Sequence, residues 1–148
     1  MQDGELKNAG VFWKFGVFLF ALLIAADLLS KHFAKNIFRN YVFAFSIPLP
    51  EPLTYLVYAI VLAVMVYYLR KNYRLLSFLQ KSAWLLIFTG AILNIGERIF
   101  LGYVRDFIYI TFYKWTGIYN FADWYIIAGI IILLRAHNND KNEQKLKK

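Results

Sequence analysis

Four apolar stretches, separated by polar or mixed connections, organise the chain at about 11–30, 52–69, 82–99 and 119–134. The second, Pro52 to Leu69, holds eighteen residues without a charge, near the minimum for crossing roughly 30 Å of hydrocarbon. The first carries Lys14 near its start and Asp27 near its end. The third is uncharged until Glu97 and Arg98, and the fourth carries only Asp123. This pattern predicts four membrane-spanning helices.

The first stretch is expected to be retained rather than cleaved as a secretory signal. Its apolar run is longer than a usual signal core, no Ala-x-Ala site follows, and Asp27 and Lys31 stand where small residues are expected.

The connections differ in character. Residues 32–51 mix aromatics with β-formers (FRNYVFAFSI) and end in PLPEP, whose alternating prolines disfavour helix and predict an extended exit. Residues 100–118 alternate weakly and carry aromatics suited to a belt at headgroup level. A short strand or curved ribbon is therefore expected outside the membrane. The tail NNDKNEQKLKK is polar and is expected to be disordered.

Composition agrees with a bilayer environment. Of 148 residues 60% are apolar, 20% aromatic and 18% charged, with a mean hydropathy of +0.47. There is no cysteine, which removes disulfide scaffolds, thiolate metal sites and cysteine nucleophiles together. The net charge of +8 could suggest nucleic acid, but the basic residues cluster outside the apolar stretches, so no nucleic-acid partner is expected.

Those charges orient the chain instead. Four spans put both termini on one side, and that side holds eleven of the seventeen Lys and Arg residues, including Arg70, Lys71, Arg74 and Lys81 of the middle connection. By the positive-inside rule both termini are cytoplasmic. The expected organisation is one four-span domain over 1–136 and a polar cytoplasmic tail over 137–148.

Ionisable residues in apolar spans are expensive and need a partner or a task. With this topology Asp27, Glu97, Arg98, Asp106 and Asp123 all lie toward the outer face. Structural alternatives remain for each. Asp27 and Lys31, at i and i+4, could be a helix-end ion pair of small worth. Glu97, Arg98, Arg105 and Asp106 could be interfacial charges reaching water. Asp123 could cap a helix N-terminus.

A chemical alternative uses two carboxylates. Held a few ångströms apart, they cannot both ionise cheaply, so one keeps a proton while the other acts as a base, the arrangement of aspartic proteases. Asp106 and Asp123 are separated by about 25 Å if helical throughout, so their meeting requires the outer connection to fold back. Metal hydrolysis is disfavoured: there is no HExxH, and His32 and His137 lie on opposite sides. Ser30 and Ser46 have no evident base, and P-loop, Rossmann and GxSxG patterns are absent.

Five motifs in order resemble those of the lipoprotein signal peptidase (signal peptidase II) family, over about Asp27 to Gly129. DLLSK at 27–31 is similar to the family's DQxxK, RNYVFAFS at 39–46 to RNxGAAFS, GAILNIGER at 90–98 to GAxGNxxDR, GYVRDF at 102–107 to GxVVDF, and YNFAD at 119–123 to FNxAD. The resemblance implies an intramembrane aspartyl endopeptidase of the bacterial inner membrane with its site toward the extracytoplasmic face. That enzyme cleaves diacylglyceryl-modified prolipoproteins just before the lipidated cysteine. Asp106 and Asp123 then fall on the catalytic pair, and Asn94, Arg98 and Asn120 on supporting polar positions. Asp27 and Lys31 fall on a pair at the end of the first helix, Asn40 near the substrate groove, and Glu97 on a supporting acid. The implied fold is all-α, four transmembrane helices with a small extracytoplasmic β-cradle. No cofactor or metal is expected; membrane lipid is a partner, and a monomer is expected.

Departures from the motifs are Leu28 for Gln, Val42 and Phe43 for Gly-Ala, Leu93 for Gly, and Glu97 for Asp. Leu93 should prevent a close backbone approach at that point. Glu97 keeps the charge with one more methylene, and Glu97→Asp, which restores the family's residue, is expected to be tolerated or to improve turnover. The competing expectation is a non-catalytic four-helix binding or scaffold protein related to the peptidase; a small proton-relay transporter is less compatible, since only Lys14 is ionisable in the inner half.

Overall fold

The structure is a computed structural model that describes residues 2–42 and 49–146. Four long helices dominate: α1 (Gln2–Phe33), α2 (Glu51–Asn72), α3 (Phe78–Leu101) and α4 (Phe121–Leu146). Three short strands follow α3 and one follows α1: β1 (Phe38–Asn40), β2 (Val104–Asp106), β3 (Ile108–Phe112) and β4 (Trp115–Tyr119). The fold is thus mainly helical, with two separate two-stranded antiparallel sheets, β1–β2 and β3–β4.

Among the described residues three helices are long and apolar enough to cross a bilayer: Lys14–Phe33, Glu51–Leu75 and Phe78–Leu101. The apolar run of α4 stops at Leu134, before Arg135, although the helix itself continues. This corrects the expectation of a disordered tail, because Leu146 is reached in helical backbone. Polarity argues against burial of a segment, whereas helix formation needs only the absence of breakers, and no Gly or Pro follows Gly129.

Local chemistry sets the ends. Ser77 and Gln80 cap α3 reciprocally: Ser77 Oγ accepts from the Gln80 N–H at 3.2 Å and Gln80 Oε1 from the Ser77 N–H at 2.9 Å. The other end of α3 stops at Gly102, whose φ of 79° is left-handed and whose N–H returns to Arg98 O at 3.0 Å. Pro50 is extended, and α2 begins at Glu51 with Pro52 in its first turn, one residue earlier than the proline pattern predicts. Of the ribbon expected over 32–51 the described residues show β1; residues 43–48, Phe43 and Ser46 among them, lie outside the described residues.

The distribution of side chains is inverted relative to a water-soluble domain. Among the described residues the largest fully buried side chains are Lys31, Asn120, Thr89, Asp27 and Asp106, while Phe18, Val64, Phe100 and Leu134 point outward. Helices α3 and α4 pack most closely, through glycines: a Cβ at Gly90 would meet Ala122 O at 2.3 Å, and one at Gly129 would meet Ala83 O at 2.6 Å. Close approach therefore falls at these two positions.

Candidate active site

The C-terminal ends of α1 and α3 and the N-terminal end of α4 converge with β1 and β2 around Asp106 and Asp123. The turn at Gly102 sends the chain from α3 straight into β2, and the β3–β4 hairpin, with Tyr113 at a left-handed φ of 55°, brings it back to the start of α4. This is the fold-back that a meeting of the two acids requires.

Asn120 binds both of them. Its Nδ2 donates to Asp106 Oδ1 at 2.6 Å and to Asn94 Oδ1 at 3.1 Å, and its main-chain N–H donates to Asp123 Oδ2 at 3.0 Å. The Asp123 N–H donates back to Asn120 Oδ1 at 3.0 Å, so Asn120 and Asp123 form a reciprocal cap at the N-terminus of α4. The capping alternative weighed for Asp123 is therefore present in the structure. Its other oxygen accepts from Asn94 Nδ2 at 2.7 Å, a side chain delivered from α3.

Asp106 is 1% exposed. The register of β1 against β2 pairs Asn40 with Val104, and the Asn40 amide reaches Asp106 Oδ2 at 2.8 Å. Burial pushes the Asp106 carboxyl up to about 6; the amides of Asn40 and Asn120 oppose that shift, the Asp123 charge adds to it, and Lys31 opposes it.

Behind the acids lies a charged cluster. Lys31 Nζ is 2.8 Å from Asp27 Oδ2 and 3.1 Å from Glu97 Oε2. Asp27 Oδ1 accepts from the Ala122 N–H at 3.2 Å, beside Asp123. The small exposed ion pair considered for Asp27 and Lys31 is corrected here, since both side chains are buried within the helix assembly. Sequence spacing is identical in the two cases; only tertiary contacts separate them.

Arg98 uses Nη2 to donate to Val42 O at 2.6 Å, and its own carbonyl accepts from Tyr55 Oη at 3.2 Å. It is buried, as are Glu97 and Asp106, so the interfacial charges expected to reach water are corrected for these three, and Arg105 alone of the four is part-exposed. Their burial follows from partners on α1, α2, β2 and the outer connection that a linear sequence does not reveal.

Sequence reasoning missed Arg105 as a site residue. Its Nε and Nη2 lie 2.8 Å and 2.7 Å from Glu97 Oε1, and its N–H donates to Glu97 Oε2 at 2.9 Å. The signal available was the need of a span-end acid for a cation. Among the described residues no group of three or more His, Asp or Glu gathers as a metal site.

Comparison with known proteins agrees with this architecture. A bacterial membrane enzyme solved by the in meso method at 2.3 Å superposes with a TM-score of 0.72 at 22% identity, covering 88% of this chain and 91% of that one. A second, at 1.9 Å, gives 0.65 at 25% identity and covers 83% and 92%. The lipoprotein signal peptidase of Fusobacterium nucleatum is 36% identical over 78 residues, 53% of this chain and 47% of that protein. The chain thus spans about half the length of that relative, and 66% of the one from Streptococcus thermophilus. The lipoprotein signal peptidase of Chlorobium luteolum is 36% identical over 127 residues, 80% of this chain and 74% of that protein. A sequence model of signal peptidase (SPase) II matches residues 14–137, and on that match the chain belongs to the signal peptidase II family.

Proposed function

We propose that the protein is an intramembrane aspartyl endopeptidase that removes the signal peptide from diacylglyceryl-modified prolipoproteins, cutting just before the lipidated cysteine. The observation that carries this reading is the joint grip of Asn120 on the two acids, its side-chain amide donating to Asp106 and its main-chain N–H to Asp123. The names of the relatives support the substrate class.

In this reading the pair shares one resting proton, and Asp106, whose carboxyl burial raises to about 6, is taken as the member that keeps it. Asp123 is the base that takes a proton from water as the water attacks the scissile carbonyl. Asp106 donates a hydrogen bond to the carbonyl oxygen and stabilises the developing charge. Asn40, Asn94 and Asn120 orient the pair, and Arg98 orders the outer connection through Val42. The acyl chains of the substrate stay in lipid against the apolar sides of α2 and α3.

The same reading makes α4 a fourth span, with both termini cytoplasmic, the site toward the extracytoplasmic face of the inner membrane, residues 137–148 on the cytoplasmic side and the enzyme active as a monomer. Purified protein in detergent should cleave a diacylglyceryl-modified reporter with no metal added. Asp106→Asn and Asp123→Asn should each abolish cleavage without loss of membrane insertion. Cleavage surviving in either variant rules the pair out, and capture of the reporter without cleavage by the unaltered protein favours the non-catalytic relative.

A further inference from the structure

The proposed chemistry uses none of the four charges stacked behind the aspartates. Asp27, Lys31 and Glu97 are each less than a tenth exposed, and the Arg105 side chain is 28% exposed. Two carboxylates and two cations leave the cluster neutral, the condition under which charges survive burial. Their contacts form an unbroken path: Arg105 to Glu97, Glu97 to Lys31, Lys31 to Asp27, and Asp27 to the Ala122 N–H. One end of the path is the residue before Asp106, and the other is the residue before Asp123.

Arg105 is held by more than its head. Its guanidinium takes one oxygen of Glu97 and its main-chain N–H takes the other, so the carboxylate clamps both side chain and backbone of β2. For a strand of three residues paired with β1, this clamp is a direct polar tie of its backbone to α3.

We propose that Arg105 is a positioning residue for peptide cleavage: through Glu97, Lys31 and Asp27 it sets the strand that carries Asp106 at a fixed place relative to the helix end that carries Asp123. The inference rests on the aspartyl reading above. It also accounts for Glu97, whose extra methylene reaches a cation standing where the family motif GxVVDF has valine.

The test is steady-state cleavage of the lipid-modified reporter by Arg105→Val, Arg105→Lys, Glu97→Asp and the pair Glu97→Asp with Arg105→Val, beside Asp106→Asn and Asp123→Asn. Displacing one acid by about 1 Å costs on the order of a hundredfold in rate. Arg105→Val should therefore lower kcat by about 10- to 100-fold with KM within about threefold. Arg105→Lys, which keeps a cation and the N–H contact, should lose less. The double variant, which returns both positions to the motif residues, should be more active than the product of the single losses implies. Unchanged kcat in Arg105→Val, a rise in KM alone, or strictly multiplicative losses would overturn the positioning role. If Arg105→Val does not fold, Arg105→Lys decides: full activity overturns the role and a kcat-only loss supports it. Activity in either aspartate variant would instead overturn the aspartyl reading, whatever the arginine variants do.

Discussion

Asn40 reaches across the β1–β2 pair and donates its amide to Asp106 Oδ2 at 2.8 Å, so the connection after the first helix grips an acid delivered by the third. Its own Oδ1 accepts from the Val42 N–H at 3.1 Å, and the carbonyl of Val42 accepts from Arg98. The extended segment is thereby tied to both the acid and the helix behind it.

Asn40→Leu should remove a donor that favours the charged form of Asp106. The Asp106 carboxyl then rises above about 6. A pH profile of kcat should show the alkaline limb moving upward, with a lower plateau; an unmoved limb would mean that this amide does not act on the titrating acid.

The pH dependence of the unaltered protein follows from the same carboxyl. In the proposed mechanism Asp106 donates while protonated, so cleavage should fall as pH rises through about 6, with the pair titrating as a unit. Stability carries the same sign. A carboxyl raised in the folded state binds its proton more tightly there than in the unfolded chain, so its contribution is full below the ordinary aspartate range and is lost as pH rises toward about 6. Kinetics and thermal unfolding across pH 4 to 8 in detergent measure both.

Glycine substitutions should separate close packing from open helix surface. In Gly90→Ala the new Cβ would lie 2.3 Å from Ala122 O, a main-chain atom that can move only with the start of α4. Destabilisation of about 1–3 kcal/mol is expected, with loss of cleavage because Asp123 is the next residue. Gly96 has open space around its Cβ position, so Gly96→Ala should be neutral or stabilise by up to about 1 kcal/mol. Melting temperatures of the two variants compare these outcomes directly.

Lys31→Met should be among the most damaging single changes. It leaves Asp27 and Glu97 facing each other in a buried site without their shared cation. Breaking a buried pair on one side typically costs about 3–5 kcal/mol. Adding Asp27→Asn to Lys31→Met should recover part of the loss, read as melting temperature or yield of folded protein.

The expected tolerance of Glu97→Asp does not survive the contacts of Glu97. An aspartate is too short to hold Lys31 and both groups of Arg105 at the distances seen, so that variant alone should lose activity.

The helices were legible because apolar runs and their terminators are local: Pro50 and Pro52 open α2, and Gly102 closes α3. The clustering of Asp27, Glu97, Arg98, Asp106 and Asp123 toward one end was legible from their positions at the ends of those runs. Their partners were not. Glu97 meets Arg105 only because of the turn at Gly102, and Asn40 meets Asp106 only because of the β1–β2 register. Three-residue strands carry too few positions for alternation to declare a pairing. The helical end of α4 was missed because polar composition says where a segment does not bury, not whether it coils.

The inversion of this fold has an evolutionary corollary. If outward positions on the spans such as Phe18 and Val64 face lipid, they face a medium that accepts any greasy shape, and drift there should be nearly free. The interior behaves like a lock cut from amides and charges, in which each tooth is read by at least one other. Divergent members of such a lineage should therefore differ mostly on their skins, and a change at an inner tooth should persist only when its counterpart changes with it.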